Sequence, residues 1–240
     1  MDRRVHTGEM TGKTATFGDR RPLEYSSHHW ALLASRRERA KEIMRDMANM
    51  PPLVYGSVAR GDVSNSSDID IFVPHSIPSY KLEIILDKFE VLERRVVQAT
   101  PNYAIKGEFL LADNTTVSFP LVNIKGRELD FYKFGGALNY EDLVKDKRVP
   151  GVDKRLVLIF PKENGHEEIP LTDMNPDETA KTLNIHVEVV KERMRVLERR
   201  REVGRTGVFL SETLPPLESF ESALNGIASK NPYVKRRLRD

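Results

Sequence analysis

The chemistry-bearing stretch of this chain is Tyr55 to Val73, YGSVARGDVSNSSDIDIFV. Leu53, Val54 and Tyr55 make a short apolar run between prolines and Gly56, the pattern of a buried strand entering a tight turn. Gly56 lets the backbone approach a ligand closely. Ser57 follows with an N–H and a hydroxyl at the start of a helical turn, a combination suited to a phosphate. Arg60 adds a permanent cation beside them. Beyond Gly61, the polar segment Asp62 to Ser67 reads as a loop, and Asp68-Ile69-Asp70-Ile71-Phe72-Val73 alternates with the period of a strand. Residues two apart on a strand share a face, so Asp68 and Asp70 project together while Ile69 and Ile71 enter the core. Two adjacent carboxylates repel each other unless a cation neutralises them, and Mg²⁺ takes one or two carboxylates together with phosphate oxygens. The pairing implies a divalent metal beside a phosphate.

Elements on either side must hold this stretch. A helix is expected from Ser26 or Ser27 up to Pro51, with Trp30, Leu33, Arg37, Ala40, Ile43, Met44 and Met47 near a 3.6 period. Arg36, Arg37, Arg39 and Lys41 read as a solvated face, since Glu38, Glu42 and Asp46 are interspersed. His28 and His29 lack helical ligand spacing and read as surface or capping residues. After the motif, Pro78 starts a helix carrying Leu82, Ile85, Leu86 and Phe89, and Val91 to Thr100 reads as a strand. Tyr103 to Leu111 and Thr115 to Ile124 flank Asp113-Asn114 as a hairpin. Residues 126–134 read as a further strand, with Glu128 and Asp130 on one face and Leu129 and Phe131 on the other. Asn139 to Lys147 suits a short capped helix.

The segment Gly56-Ser57, Arg60-Gly61, followed by Ser67-Asp68-Ile69-Asp70-Ile71, resembles the DNA polymerase beta-like nucleotidyltransferase superfamily. The resemblance implies an α/β fold, a mixed sheet with flanking helices. It implies two Mg²⁺ ions held by three carboxylates, and transfer of a nucleoside monophosphate from a nucleoside triphosphate to a hydroxyl. Gly56, Ser57 and Arg60 then fall at the triphosphate, Asp68 and Asp70 at the metals, and a third carboxylate is called for on a later strand. Asp130 is the choice for it, with Asp113 and Glu128 as competitors. Small stand-alone members of the superfamily modify antibiotics, proteins or RNA ends, so the resemblance leaves the acceptor and the base open.

Composition bounds the rest. The 240 residues are 39% hydrophobic and 31% charged with net charge +2, a soluble globular balance too mild to establish a polyanionic partner. There is no cysteine and no apolar run of membrane-spanning length, and the opening MDRRVHTGEM lacks the hydrophobic core of a signal peptide. A cytoplasmic protein is expected. Residues 1–25 read as a tail. Gly12-Lys13-Thr14 is no phosphate loop, because the earlier glycine and preceding strand are missing. Residues 26–150 read as the nucleotidyltransferase domain, with a boundary at Arg148-Val149-Pro150-Gly151. Residues 151–240 then supply a hairpin, Arg155 to Phe160 with Glu168 to Leu171, and two helices.

Asn175 and Pro176 start the first helix, Asn184 suits the left-handed turn between them, and Val187 to Glu202 forms the second. The spacing resembles a helix-turn-helix, with Val208-Phe209-Leu210 as the strand of a wing. Lys191 and Arg195 on the second helix, and the basic end Lys235, Arg236 and Arg237, are then candidate nucleic-acid contacts. A plain helical hairpin used for packing or homodimer formation is the competing reading. A nucleic-acid-binding regulator that binds nucleotide without turnover is the competing function.

Overall fold

A computed structural model describes residues 20–204 and 207–239, the side chain of Arg201 apart. The tail expected over 1–25 lies outside the described residues through residue 19, as do Gly12-Lys13-Thr14, Arg205 and Thr206. In chain order the first elements are β1 (Arg21–Glu24), α1 (Ser27–Asp46), β2 (Leu53–Tyr55), α2 (Ser57–Arg60), β3 (Ile69–Phe72) and α3 (Ser79–Leu86). They are followed by β4 (Val91–Gln98), β5 (Lys106–Leu111), β6 (Thr115–Pro120), α4 (Gly126–Phe134), β7 (Ala137–Asn139) and α5 (Tyr140–Val144). Then come β8 (Gly151–Val152), β9 (Val157–Lys162), β10 (Gly165–Pro170), α6 (Pro176–Leu183) and α7 (Val187–Val203). The last are β11 (Leu210–Thr213), α8 (Phe220–Lys230) and α9 (Pro232–Arg237).

A seven-stranded mixed sheet in the order β11-β4-β5-β6-β3-β2-β7 carries the motif. The β3–β6 pair is parallel and the β2–β3 pair antiparallel, with Tyr55 opposite Asp70. Alternation decides the faces. Val54, Ile69, Ile71, Phe109, Val117 and Phe119 are buried in one cluster with Leu33, Ile43 and Met44 of α1, Leu82 and Leu86 of α3, and Phe220, Leu224 and Ile227 of α8. Asp70, Phe72, Thr116, Ser118 and Glu108 fall on the opposite face by register. Helix α1 starts where Ser26 accepts from the His29 N–H at 3.2 Å, as an N-cap should.

A four-stranded antiparallel sheet, β1-β10-β9-β8, stands beside it. Residues 21–24, expected in the tail, are instead a strand paired with β10. The approach is so close that a Cβ on Gly165 would lie 1.8 Å from the Leu23 carbonyl oxygen, which reserves that position for glycine. Phe134, Val152, Leu158, Ile169, Leu183, Val190 and Leu197 form a second core between this sheet and α6–α7. Asn175 caps α6, and Asn184 takes the left-handed conformation with φ 51°.

Two expectations are corrected. Residues 126–134 form a helix, not a strand. Glu128 and Tyr132 sit one turn apart on one side of α4, and Asp130 and Phe134 one turn apart on the other. All four are buried, so a helix covered on two sides imitates a period of two. The wing also fails to form, because Leu210–Thr213 pairs antiparallel with β4, Leu210 opposite Gln98, as the edge of the main sheet. Helices α8 and α9 follow it back onto the first core, so residues 210–238 complete the motif-bearing unit instead of closing a separate C-terminal one. No helix among the described residues is long and apolar enough to cross a membrane.

Candidate nucleotide and metal site

The phosphate turn and the aspartate pair meet at the adjoining ends of β2 and β3. Gly56 links β2 to α2 with φ 79° and ψ −147°, and a Cβ there would meet nothing within 4 Å, so the dihedral angle alone favours glycine. Its N–H is taken by the Gly136 carbonyl at 2.9 Å. The Ser57 N–H, at the first turn of α2, has no helical acceptor. The Ser57 hydroxyl donates to Ser67 Oγ at 3.2 Å, and Ser67 Oγ accepts from the Ser64 N–H at 2.9 Å. These bonds tie the turn to the loop that delivers Asp68 and Asp70.

Asp68 is exposed and Asp70 part-buried. Burial, and after it the charge of Asp68, push the Asp70 carboxyl up to about 7, while Lys154 and Lys106 pull the other way. An acid held this far from its ordinary range by burial and a like charge lacks a compensating cation, and the paired carboxylates are a donor set that fits a divalent cation shared with phosphate oxygens. Among the described residues no group of three or more His, Cys, Asp or Glu is placed to hold a metal ion.

Asp130 is turned away from the pair. Tyr132 of α4 stacks on Phe72 of β3 with ring centroids 3.8 Å apart, so Asp130, on the other side of the helix, faces α7. Its Oδ2 accepts from the His186 backbone N–H at 3.0 Å and lies 2.5 Å from the His186 ring Nδ1, and Lys133 stands 3.7 Å from Oδ1. Burial acts to raise its pKa, but the His186 bonds prevail and hold the carboxyl below its ordinary value. The neighbouring parallel strand β6 offers hydroxyls, Thr116 and Ser118, opposite Asp70 and Phe72. The carboxylate on the right face is Glu108 of β5, opposite Ser118 and held by Arg95 at 2.8 Å and Lys106 at 3.3 Å. The alternation in Lys106-Gly107-Glu108-Phe109 marks Glu108 as outward-facing, yet no second acid nearby in sequence draws attention to it.

Arg60 braces the site instead of reaching into it. It is buried, binds Asp62 through two bonds of 2.9 Å and donates to the Gly135 carbonyl at 2.6 Å. Arg37, expected on a solvated face, is also buried and donates to the Val58 and Ala59 carbonyls at 3.1 and 3.2 Å, placing a cation at the C-terminal end of α2. Arg237 is corrected in the same way. It is 2% exposed and donates to the Asn123 carbonyl at 2.7 Å and to Glu128 at 3.2 Å, so it anchors α9 to α4 and is closed to nucleic acid. Lys191, Arg195, Lys235 and Arg236 are exposed. The N-terminus of α7, which a helix-turn-helix would present to a groove, is docked on Asp130 through His186.

Residues 38–149 match the family model described as a nucleotidyltransferase domain, a span that contains the phosphate turn, Asp68, Asp70, Glu108 and Asp130. That match supports nucleotidyl transfer as the general chemistry. No curated protein and no solved structure matches the chain.

Proposed function

We propose that this protein is a Mg²⁺-dependent nucleotidyltransferase that moves a nucleoside monophosphate from a nucleoside triphosphate to a hydroxyl acceptor. The observation that carries the reading is the Asp68–Asp70 pair, with Asp70 driven to about 7, beside the Gly56–Ser57 turn. A divalent cation held by Asp68 and Asp70 would neutralise the triphosphate and favour ionisation of the acceptor hydroxyl. Ser57 binds the phosphate chain through its N–H and hydroxyl, and Arg60 and Arg37 keep α2 in place. The acceptor oxygen attacks the α-phosphorus in line, the new O–P bond forms as the bond to the bridging oxygen breaks, pyrophosphate leaves, and the hydroxyl proton passes to water. The resemblance implies a second ion, and Glu108 is the acid on that face to which it would turn. Lys191, Arg195, Lys235 and Arg236, all exposed, remain the residues through which nucleic acid would be held.

Labelled nucleoside triphosphates, each incubated with Mg²⁺ and RNA, protein or small-molecule acceptors, test this reading. Labelled acceptor and released pyrophosphate are expected with at least one combination. A second reading, a nucleic-acid-binding regulator that binds triphosphate without turnover, is favoured by the unassembled third carboxylate. Triphosphate binding without product across the whole set, together with salt-sensitive binding of nucleic acid, would select it.

The position of the third acid gives its own prediction. Asp130→Ala removes the acceptor for two His186 donors and is expected to lower stability by about 1–3 kcal/mol while leaving turnover of the folded protein nearly intact. Glu108→Gln is expected to keep stability within about 1 kcal/mol, since its ion pairs are part-exposed, and to reduce turnover the more. Thermal melts beside steady-state rates decide it, and the reverse ranking returns the third acid to Asp130.

A further inference from the structure

Apart from the aspartate pair, the described residues enclose a pocket of about 320 Å³ between the β4–β5 connection, α4 and α7. Three aromatic side chains line it, Tyr103, Phe131 and Tyr132, and so do Lys106, Arg193, Arg199 and Arg200. The Arg193 guanidinium lies over the Phe131 ring, 4.8 Å from its centroid, and its buried Nε has no hydrogen-bond partner. Among the described residues no carboxylate pairs with Arg193, Arg199 or Arg200. The two acids in the wall are engaged elsewhere, Glu192 with the Tyr103 hydroxyl and Glu128 Oε2 with the Lys125 N–H and Arg237. Glu128 Oε1, in contrast, is buried and unpartnered, an acceptor awaiting a donor. Burial, and after it the nearby Arg200 charge, lower the pKa of Arg193, as expected of guanidinium groups with no anion between them.

The pocket shares the sheet face with the proposed site. Tyr132, in its wall, stacks on Phe72, and Lys106 binds Glu108 while its charge reaches Asp70. A volume at the lower end of the range for small-molecule sites suits one ring with its sugar. Aromatic faces stack on bases, guanidinium forks bind phosphate, and a free carboxylate oxygen takes an exocyclic amine or a hydroxyl. The same arginines repel a polycationic aminosugar.

We propose that this pocket holds the acceptor, and that the acceptor is a nucleotide, free or at the end of a strand, with its base among Tyr103, Phe131 and Tyr132 and its phosphate on Arg193, Arg199 and Arg200. The word acceptor rests on the transfer reading above, in which a hydroxyl of this nucleotide forms the new O–P bond, pyrophosphate departs and the proton goes to water. The ligand chemistry does not depend on turnover.

The test uses the full chain with metal chelated. Titration calorimetry with adenosine monophosphate and with a short single-stranded oligoribonucleotide is expected to show binding, and adenosine without phosphate is expected to bind roughly tenfold or more weakly. Arg199→Glu with Arg200→Glu, and separately Arg193→Met, should each weaken monophosphate binding by roughly ten- to a hundredfold, with melting curves confirming a folded chain. A free nucleotide and a strand end are told apart by whether the oligoribonucleotide binds more tightly and with a steeper salt dependence than the monophosphate. In a separate titration with Mg²⁺ and no chelator, binding of Mg²⁺-ATP to the same variants should be unchanged within about twofold, since the triphosphate is held at the Ser57 turn. Undiminished monophosphate binding in the arginine variants, or no binding to the wild-type chain, overturns the pocket assignment. Parallel loss of Mg²⁺-ATP and monophosphate binding overturns the acceptor role by placing the incoming triphosphate there. Intact pocket binding with no transfer in any assay defeats the transfer reading and the acceptor role while the ligand chemistry stands.

Discussion

Asp70→Asn is expected to abolish nucleotidyl transfer and at the same time to make the metal-free protein more stable above pH 7. The loss of transfer follows from removing half of the pair that would hold the cation, and a fall of roughly a thousandfold or more is expected for a group that stabilises charge in the reaction. The gain in stability follows from linkage. Burial and the Asp68 charge push the folded-state pKa up to about 7, above the ordinary carboxylate value that the unfolded chain retains. Between those values the folded protein keeps a proton that the unfolded chain gives up, so stability present at low pH is lost as pH rises through the carboxylate range to about 7. Asparagine never ionises and escapes that loss, worth on the order of 4 kcal/mol at pH 8. Saturating Mg²⁺ should narrow or reverse the difference, because it binds the folded wild-type chain. Melting temperatures of both proteins from pH 4 to 9, with chelator and with Mg²⁺, provide the check. Parallel curves in chelator would show that Asp70 carries no such strain, and undiminished Mg²⁺-dependent labelling by the variant would remove the catalytic proposal.

The second large effect is far from the site. Phe220 is fully buried, with ring centroids 5.0 Å from Phe109 and 5.2 Å from Phe119. It fills space left open by Gly107, where a Cβ would stand 2.5 Å from the Phe119 ring. Phe220→Ala is expected to cost about 3–5 kcal/mol, enough to threaten a domain of ordinary stability. Circular dichroism should show one cooperative transition moving to lower temperature, with transfer lost in step with folding. A C-terminal unit folding by itself from residue 151 would instead give a second transition and leave the first in place.

The local code for the site was legible. The apolar run, glycine and hydroxyl at 53–57 give a strand, turn and helix, and the alternation at 68–73 gives β3 beside it. Asn114, at φ 59°, turns the β5–β6 hairpin, and Asn184 turns between α6 and α7. What escaped depends on partners distant in the chain. Helix α4 reads as a strand because the main sheet and α7 bury it from two sides, which no neighbouring residue announces. Arg37, Arg60 and Arg237 read as surface or ligand cations, yet each is buried against carbonyl groups from other elements. Glu108 joins the face of Asp70 through two intervening strand pairings, and only the register supplies that information.

The pairing of β11 with β4 bears on how the protein is made. During synthesis the N-terminal part of a chain emerges first, and β4 is exposed long before Leu210 can settle opposite Gln98. Until then β4 presents an open row of N–H and C=O groups, and Phe109 and Phe119 lack the ring that covers them. The sheet that carries Asp68 and Asp70 is therefore unfinished, with an open edge, until residues 210–237 have been made. The site at 56–70 therefore gains its finished scaffold only through contacts more than a hundred residues distant in sequence, the kind of non-local pairing that slows folding.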